Sequence, residues 1–327
     1  MPALVGRKRL VLCVGAAGAL VYTGVAYAGN AGFGPLPPES PNAHRVGDAY
    51  WLVFAFTAAI FLLVEGTLVY CIVRYRRGRR AITDEGLQLH GHARLELIWT
   101  VIPVLILVAI GAFIFYKLPG IKDIPSASAS DRVNVRVDAH QFYWQFTYPN
   151  GEISINDLHV PANKVVALDL HAPDVIHSFW VPQLGGKMDA VPGRTNRFWF
   201  RAERAGTFQG RCAELCGLYH ARMPIRVVAE SDAAYRSYLA AAPKRLGRSE
   251  FEGVCQTCHG IGGKGGYGPP LAGNPTVSQA RSVELIVRNG RGKMPPVGRG
   301  WTDAQMKALT DYLRRSVGPK IGGAGGG

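Results

Sequence analysis

A pair of long apolar runs, Ala49 to Val73 and Leu97 to Tyr116, constrains this chain more than any other feature. Each is long enough to cross roughly 30 Å of hydrocarbon as an α-helix. Both are read as membrane spans. Between them Arg74, Arg76, Arg77, Arg79, Arg80 and Arg94 place six positive charges in a short connection, which assigns that side to the cytoplasm and turns both outer ends outward. The first 28 residues carry Arg7, Lys8 and Arg9, an apolar run from Leu10 to Val21, and Ala26-Tyr27-Ala28, the three parts of a secretory signal peptide. Glu65 lies inside the first span and Glu96 at the cytoplasmic mouth of the second. An ionisable group at membrane depth is costly, which points to a functional or partner-facing role.

From Asp131 the hydropathy changes to period two: Val133, Val135 and Val137 alternate with polar residues, and Phe142, Trp144 and Phe146 continue the alternation. Similar runs recur at Lys164 to Leu170, Val175 to Val181, Thr195 to Arg201 and Arg222 to Val228, separated by Pro149-Asn150-Gly151, Pro173, Gly185-Gly186 and Pro192-Gly193. Short strands between turn residues predict an all-β antiparallel sandwich or barrel, reached from the membrane through the linker Ser126 to Ser130. With 48% hydrophobic and 18% charged residues the chain is not disordered, and six cysteines in 327 residues are too few for a disulfide-dense scaffold.

Within this β unit stands Arg211-Cys212-Ala213-Glu214-Leu215-Cys216-Gly217-Leu218-Tyr219-His220-Ala221-Arg222-Met223. Two thiols four residues apart, an imidazole four further on and a thioether three beyond form a copper set, because soft sulfur with nitrogen selects copper over harder metals. Zinc is disfavoured by the thioether. Two thiolates can bridge two copper ions, which then share one electron with little change of geometry. A disulfide between Cys212 and Cys216 is the competing structural reading. A second imidazole is needed, and spacing alone leaves His171 and His177 both open.

Together, the hairpin and the β unit, about Ala43 to Glu230, resemble subunit II of heme-copper cytochrome c oxidases with its cupredoxin-like CuA domain. The motif Asp174-Val175-Ile176-His177-Ser178-Phe179, followed by Cys212, Glu214, Cys216, His220 and Met223, carries the likeness. It implies a dinuclear copper centre held by His177, Cys212, Cys216, His220, Met223 and the Glu214 carbonyl. The Glu214 carboxylate is then free for a magnesium or manganese ion at the interface with subunit I. His140, His159 and His171 are left as structural or surface residues. In Glu96-Leu97-Ile98-Trp99-Thr100 the acid matches the family's carboxylate near the mouth of a proton pathway. Gln141-Phe142-Tyr143-Trp144 resembles the segment above the copper through which electrons arrive, which makes Phe142 and Trp144 candidates for that role. The competing reading for both is β-core packing, and family members commonly carry Trp where this chain has Phe142.

After Ala241-Ala242-Pro243 the composition shifts, with 19 of the 40 glycines in the last 81 residues. Cys255-Gln256-Thr257-Cys258-His259 is the CxxCH attachment sequence of a c-type heme, with two thioether bonds and His259 as proximal iron ligand; a thioredoxin-like redox pair is the competing reading. Met294, 35 residues after His259, can ligate the opposite face, where sulfur raises the reduction potential. Its rival Met306 falls in the amphipathic stretch Thr302 to Arg315, where methionine is core. Gly268-Pro269-Pro270-Leu271 resembles the cytochrome c loop whose proline carbonyl orients the proximal imidazole. Helices are predicted near Ser249 to Cys258, Val283 to Asn289 and Asp303 to Ser316, and the unit resembles an all-α class I cytochrome c.

The predicted organisation is a multidomain membrane protein: a signal peptide over 1–28, an N-terminal segment and two-helix hairpin over 29–125, an all-β cupredoxin-like domain over 126–232, a linker over 233–246, a cytochrome c domain over 247–318 and a disordered glycine-rich tail over 319–327. Copper followed by one covalent heme resembles the cytochrome-c-fused, caa-type branch of the oxidases. The likeness implies a subunit of a proton-translocating oxidoreductase in a bacterial inner membrane, with both soluble domains on the periplasmic or outer side. Electrons would arrive from cytochrome c or another donor protein and leave for the oxygen-reducing site of subunit I, with subunit III as a further partner. The alternatives are the CuA-containing small subunit of a nitric oxide reductase and a non-enzymatic copper carrier or assembly factor. Of the formal charge of +14, +8 falls in residues 244–327, with 13 basic residues against 5 acidic. This region faces outward, so nucleic acid is excluded and the excess fits an acidic donor surface or the anionic membrane face.

Overall fold

The computed structural model describes residues 35–75 and 91–318. The expected signal peptide, most of the arginine loop and the glycine-rich tail lie outside the described residues. Helix α1 (Pro41–Arg74) starts where Ser40 accepts a hydrogen bond from the Asn42 amide at 3.3 Å and proline occupies the first turn, which needs no amide donor. Helix α2 (Ala93–Lys122) starts where His92 Nδ1 accepts from the Leu95 amide at 3.2 Å while Glu96 accepts from the His92 amide at 3.1 Å. The polar residues Arg94 and Glu96 thus join the first turn, ahead of the apolar run. Pro103 consequently lies in the helix interior. Nearly all apolar side chains of both helices point outward, a surface that suits lipid and not water. At the outer end Arg45 donates to the Gly120 carbonyl at 2.7 Å and Lys117 pairs with Asp48 at 2.7 Å, which ties the two helices together.

The β domain contains strands β1 (Arg132–His140), β2 (Tyr143–Thr147), β3 (Ile153–Ile155), β4 (Asp157–Pro161), β5 (Val165–His171), β6 (His177–Trp180), β7 (Met188–Ala190), β8 (Asn196–Phe200), β9 (Gly206–Cys212) and β10 (Pro224–Glu230). One sheet has the order β3-β2-β1-β5-β8 and the other β4-β10-β9-β6-β7. Period-two patterning on β1 sends Val135, Val137 and Ala139 inward, where they meet Phe146, Leu168, Phe179 and Phe208. β1 pairs antiparallel with β2 and parallel with β5, so the sandwich is mixed rather than purely antiparallel. Its base is fastened to α1 and the segment before it, since Asn42 Nδ2 donates to the Trp199 carbonyl at 2.5 Å and Arg204 forks onto Glu39 at 2.9 and 2.6 Å.

Helix α3 (Asp232–Ala240), capped by Ser231, leaves the sandwich. A continuous helical run follows through Arg248–Glu250, Phe251–Cys255 and Gln256–His259, then α4 (Ala280–Asn289) and α5 (Asp303–Tyr312), whose first turn is closed by Thr302 and Gln305. Phe251, Val254, Val283, Val287, Trp301, Met306, Leu309 and Leu313 form the second core. Tyr143 and Ile155 of the sandwich belong to that core as well. The two outer domains therefore pack on each other instead of hanging from a free tether.

Candidate metal and heme centres

Cys212 ends β9, Met223 precedes β10, and the cross-strand pair Phe179 with Cys212 brings β6 alongside. The connecting loop is pulled back onto the sheet by Cys212 N to Met223 O at 3.1 Å and Ala213 N to Ser178 O at 2.9 Å. The outcome is a compact sulfur and nitrogen cluster. Cys212 Sγ lies 3.9 Å from both Cys216 Sγ and His177 Nδ1, while Cys216 Sγ lies 3.6 Å from His220 Nδ1 and 3.9 Å from Met223 Sδ. His177, Cys212, Cys216 and Met223 are buried. A disulfide requires about 2.05 Å between sulfurs, so these are two free thiols facing a common space. His171 stands apart at the end of β5, beside Thr195 at 3.3 Å.

Sequence reasoning gave no role to Asp174, and the structure does. Its Oδ1 lies 2.9 Å from His177 Nε2, and its carboxylate accepts from the amides of Gln141 and Val175, each at 2.7 Å. Burial opposes its ionisation, but His177 and the two amides hold the carboxyl below its ordinary range. A carboxylate on the far nitrogen fixes ring orientation and leaves Nδ1 toward the thiols. The legible signal was a carboxylate three residues before the imidazole. Burial also opposes ionisation of Cys212, yet His177 and the neighbouring backbone bring this thiol down to about 7. Cys216 is pushed up to about 12 by burial and by the charge of Cys212. Ionising Cys212 thus opposes ionising Cys216, and His177, whose proton burial opposes but Asp174 and Cys212 favour, balances the first thiolate. The Glu214 carbonyl accepts from Cys212 Sγ at 3.2 Å, whereas its carboxylate is exposed and accepts from the Leu215 amide at 3.2 Å. Among the described residues this donor set fits copper.

The second centre is a cavity of about 860 Å³ lined by Cys255, Cys258, His259 and Met294, with walls from both outer domains. His259 Nδ1 lies 2.7 Å from the Pro269 carbonyl, which leaves the other ring nitrogen for a metal. Gly268 passes so close that an added Cβ would stand 2.8 Å from the His259 ring. Met294 sits in a tight turn closed by reciprocal 3.0 Å bonds with Arg291, while Met306 is packed in the core and does not line the cavity. The residues fit a covalent heme: two thiols on one helical turn, an oriented imidazole, and a thioether on the same cavity. Both thiols are raised by burial, Cys255 to about 12, and neither carries the low-pKa thiolate of a redox CxxC.

The two candidates above the copper cluster separate. Trp144 is fully buried, its ring 6.1 Å from that of His177, and belongs to the sandwich core. Phe142 does not continue the strand alternation: it sits in the turn between β1 and β2, lines the heme cavity, and meets the Tyr219 ring at 5.5 Å. Glu96 closes the N-terminus of α2. Glu65 is exposed on α1 and has no partner among the described residues.

Fold and sites together define a class: a membrane-anchored electron-transfer subunit with a copper module and a c-type heme module. Residues 30–116 match the family described as cytochrome c oxidase subunit II, transmembrane domain, residues 152–230 match its periplasmic domain, and residues 242–313 match cytochrome c oxidase, cbb3-type, subunit III. The chain is 33% identical to cytochrome c oxidase subunit 2 of Alkalihalophilus pseudofirmus over 310 residues, covering 85% of this chain and 89% of the relative. It is 35% identical to the subunit 2 of Cereibacter sphaeroides over 265 residues, 68% of this chain and 84% of that one. The periplasmic domain of subunit II of cytochrome oxidase of Bradyrhizobium japonicum aligns over 37% of this chain and 98% of its own, at 34% identity and a TM-score of 0.35. The chain belongs to the cytochrome c oxidase subunit II family and carries a cytochrome c domain at its C-terminus.

Proposed function

We propose that this subunit receives electrons at its heme domain, passes them to its copper domain, and delivers them to the oxygen-reducing subunit I of a proton-pumping, caa-type oxidase. When bound, heme and copper each take up and return single electrons. In this reading Cys255 and Cys258 bind the heme covalently, His259 and Met294 ligate its iron, and His177, Cys212, Cys216, His220, Met223 and the Glu214 carbonyl hold two coppers. The exposed Glu214 carboxylate meets a magnesium or manganese ion against subunit I, and Glu96 stands at the cytoplasmic mouth of a proton path. Glu65, bare on its helix, faces a neighbouring subunit. Subunit III completes the complex in the bacterial inner membrane.

One observation carries the reading: Gln141 and Phe142 line the heme cavity, and Gln141 Nε2 also donates to the Cys216 carbonyl at 2.5 Å, so one residue reaches from the heme cavity to the copper loop. Oxygen and nitric oxide consumption by the purified intact complex, with copper and heme counts, tests it. Oxygen turnover with one heme c and two coppers in this subunit is expected; nitric oxide turnover without oxygen reduction would sink it. The donor docks through the basic heme domain, where Arg291 and Lys293 are exposed at the cavity rim. Steady-state rates should fall as ionic strength rises, and rates indifferent to salt would remove the acidic-donor part.

A further inference from the structure

The sequence Phe142-Tyr143-Trp144 points three consecutive rings into three different places. Trp144 enters the sandwich core, Phe142 borders the heme cavity, and Tyr143 is fully buried in the core of the heme domain. The Tyr143 hydroxyl donates to the Val297 carbonyl at 2.7 Å and accepts from Trp301 Nε1 at 2.9 Å. Both partners belong to the heme domain, beyond the loop that carries Met294. On the other face of its ring Tyr143 stacks on His140 at 4.6 Å, so the phenol is clamped between domains. Burial raises its pKa further above the ordinary 10 of a phenol.

The seam around it is also built. Asn156 Nδ2 donates to the Gly253 carbonyl at 3.0 Å, and Gln305 Nε2 donates to both Gln145 at 3.2 Å and the buried Glu250 at 3.3 Å. Gly253 lies under the Ile155 side chain, where an added Cβ would fall 2.5 Å from Ile155 Cγ2. Around Tyr143 and Gln305 the polar groups of the seam are buried and hydrogen-bonded to one another, and each one pulled from its partner there would lose a hydrogen bond inside the interface.

We propose that Tyr143 is a positioning residue that locks the heme domain onto the copper domain, fixing Phe142 between the two centres and closing that side of the copper domain to soluble donors. The inference rests on the electron-transfer reading for its purpose, but the lock itself is a property of the chain. A donor protein approaching that face of the copper domain meets the heme domain first.

The test uses the intact complex with Tyr143→Phe, which keeps the ring and removes the hydroxyl, and Gly253→Ala, which wedges the seam from the other side. Amide hydrogen exchange at residues 297–301 should rise about tenfold in both variants. The rate of heme-to-copper equilibration after photoreduction by a small dye should fall by a similar factor, with the heme absorption, its reduction potential and the copper resonance unchanged. Unchanged exchange in both variants overturns the lock, whether or not the rate moves; raised exchange with an unchanged rate overturns the positioning role. Should the unaltered complex show no heme-to-copper transfer at all, the electron-transfer reading fails, while the exchange result still judges the lock.

Discussion

The copper and heme domains solve the same problem by opposite means. The copper set is gathered by two strands and one loop of a single sheet, with its sulfur and nitrogen atoms already at most 3.9 Å apart in each neighbouring pair. The heme residues instead surround a cavity of about 860 Å³, held by short helices on one side and by the copper domain on the other. A site framed by a hydrogen-bonded ladder is preformed, whereas a site framed around a large prosthetic group depends on that group for much of its core. Losing the metal should therefore leave the copper domain folded, and losing the heme should not leave the heme domain so.

The largest expected break in this contrast is the double change Cys255→Ser and Cys258→Ser. It should abolish covalent heme staining and expose residues 247–318 to proteolysis, while the copper resonance persists; a protease-resistant heme-free domain would contradict the contrast. Cys216→Ser should abolish the dinuclear copper spectrum and leave heme staining and the sandwich's thermal transition nearly intact. Survival of both coppers would show that the thiolates do not bridge. Asp174→Asn, which spares every ligand but loosens the His177 ring, should weaken copper retention against a chelator by about 10 to 100-fold. Equal retention would make Asp174 a bystander.

The smallest effect concerns pH. Burial lowers the pKa of His140 beneath its ordinary 6.5, so the unfolded chain binds this proton more readily than the folded one. The stability His140 contributes as a neutral ring is present above pH 6.5 and is lost as pH falls from there toward its folded pKa. Urea unfolding at pH 7 and pH 5 should show this loss, and His140→Gln should reduce it. An identical slope in the variant would assign the effect elsewhere.

Much of the architecture was legible because its signals are local. Apolar runs, CxxCH and the cysteine, histidine and methionine spacing each sit within one short segment. What resisted reading was the joint between domains. On β2 the alternation marked Trp144 and Phe146 as inward and left Tyr143 and Gln145 for solvent, yet Tyr143 is fully buried and Gln145 nearly so. Period two reports two faces and says nothing about what covers the second. Phe142 was assigned to the strand for the same reason, since the break after His140 leaves no mark in hydropathy. Spacing alone left His171 and His177 both open and only the family motif favoured His177; what sets His177 beside Cys212 is the pairing of β6 with β9, a contact between segments more than thirty residues apart.

That doubly covered strand has a bearing on biogenesis. Chains fold from the N-terminus as they emerge, so the sandwich is complete before the last eighty or so residues arrive. Until then the outer face of β2 presents Tyr143 to water beside the edge strand β3. The outer face of the copper domain is thus completed by residues that come last in the chain.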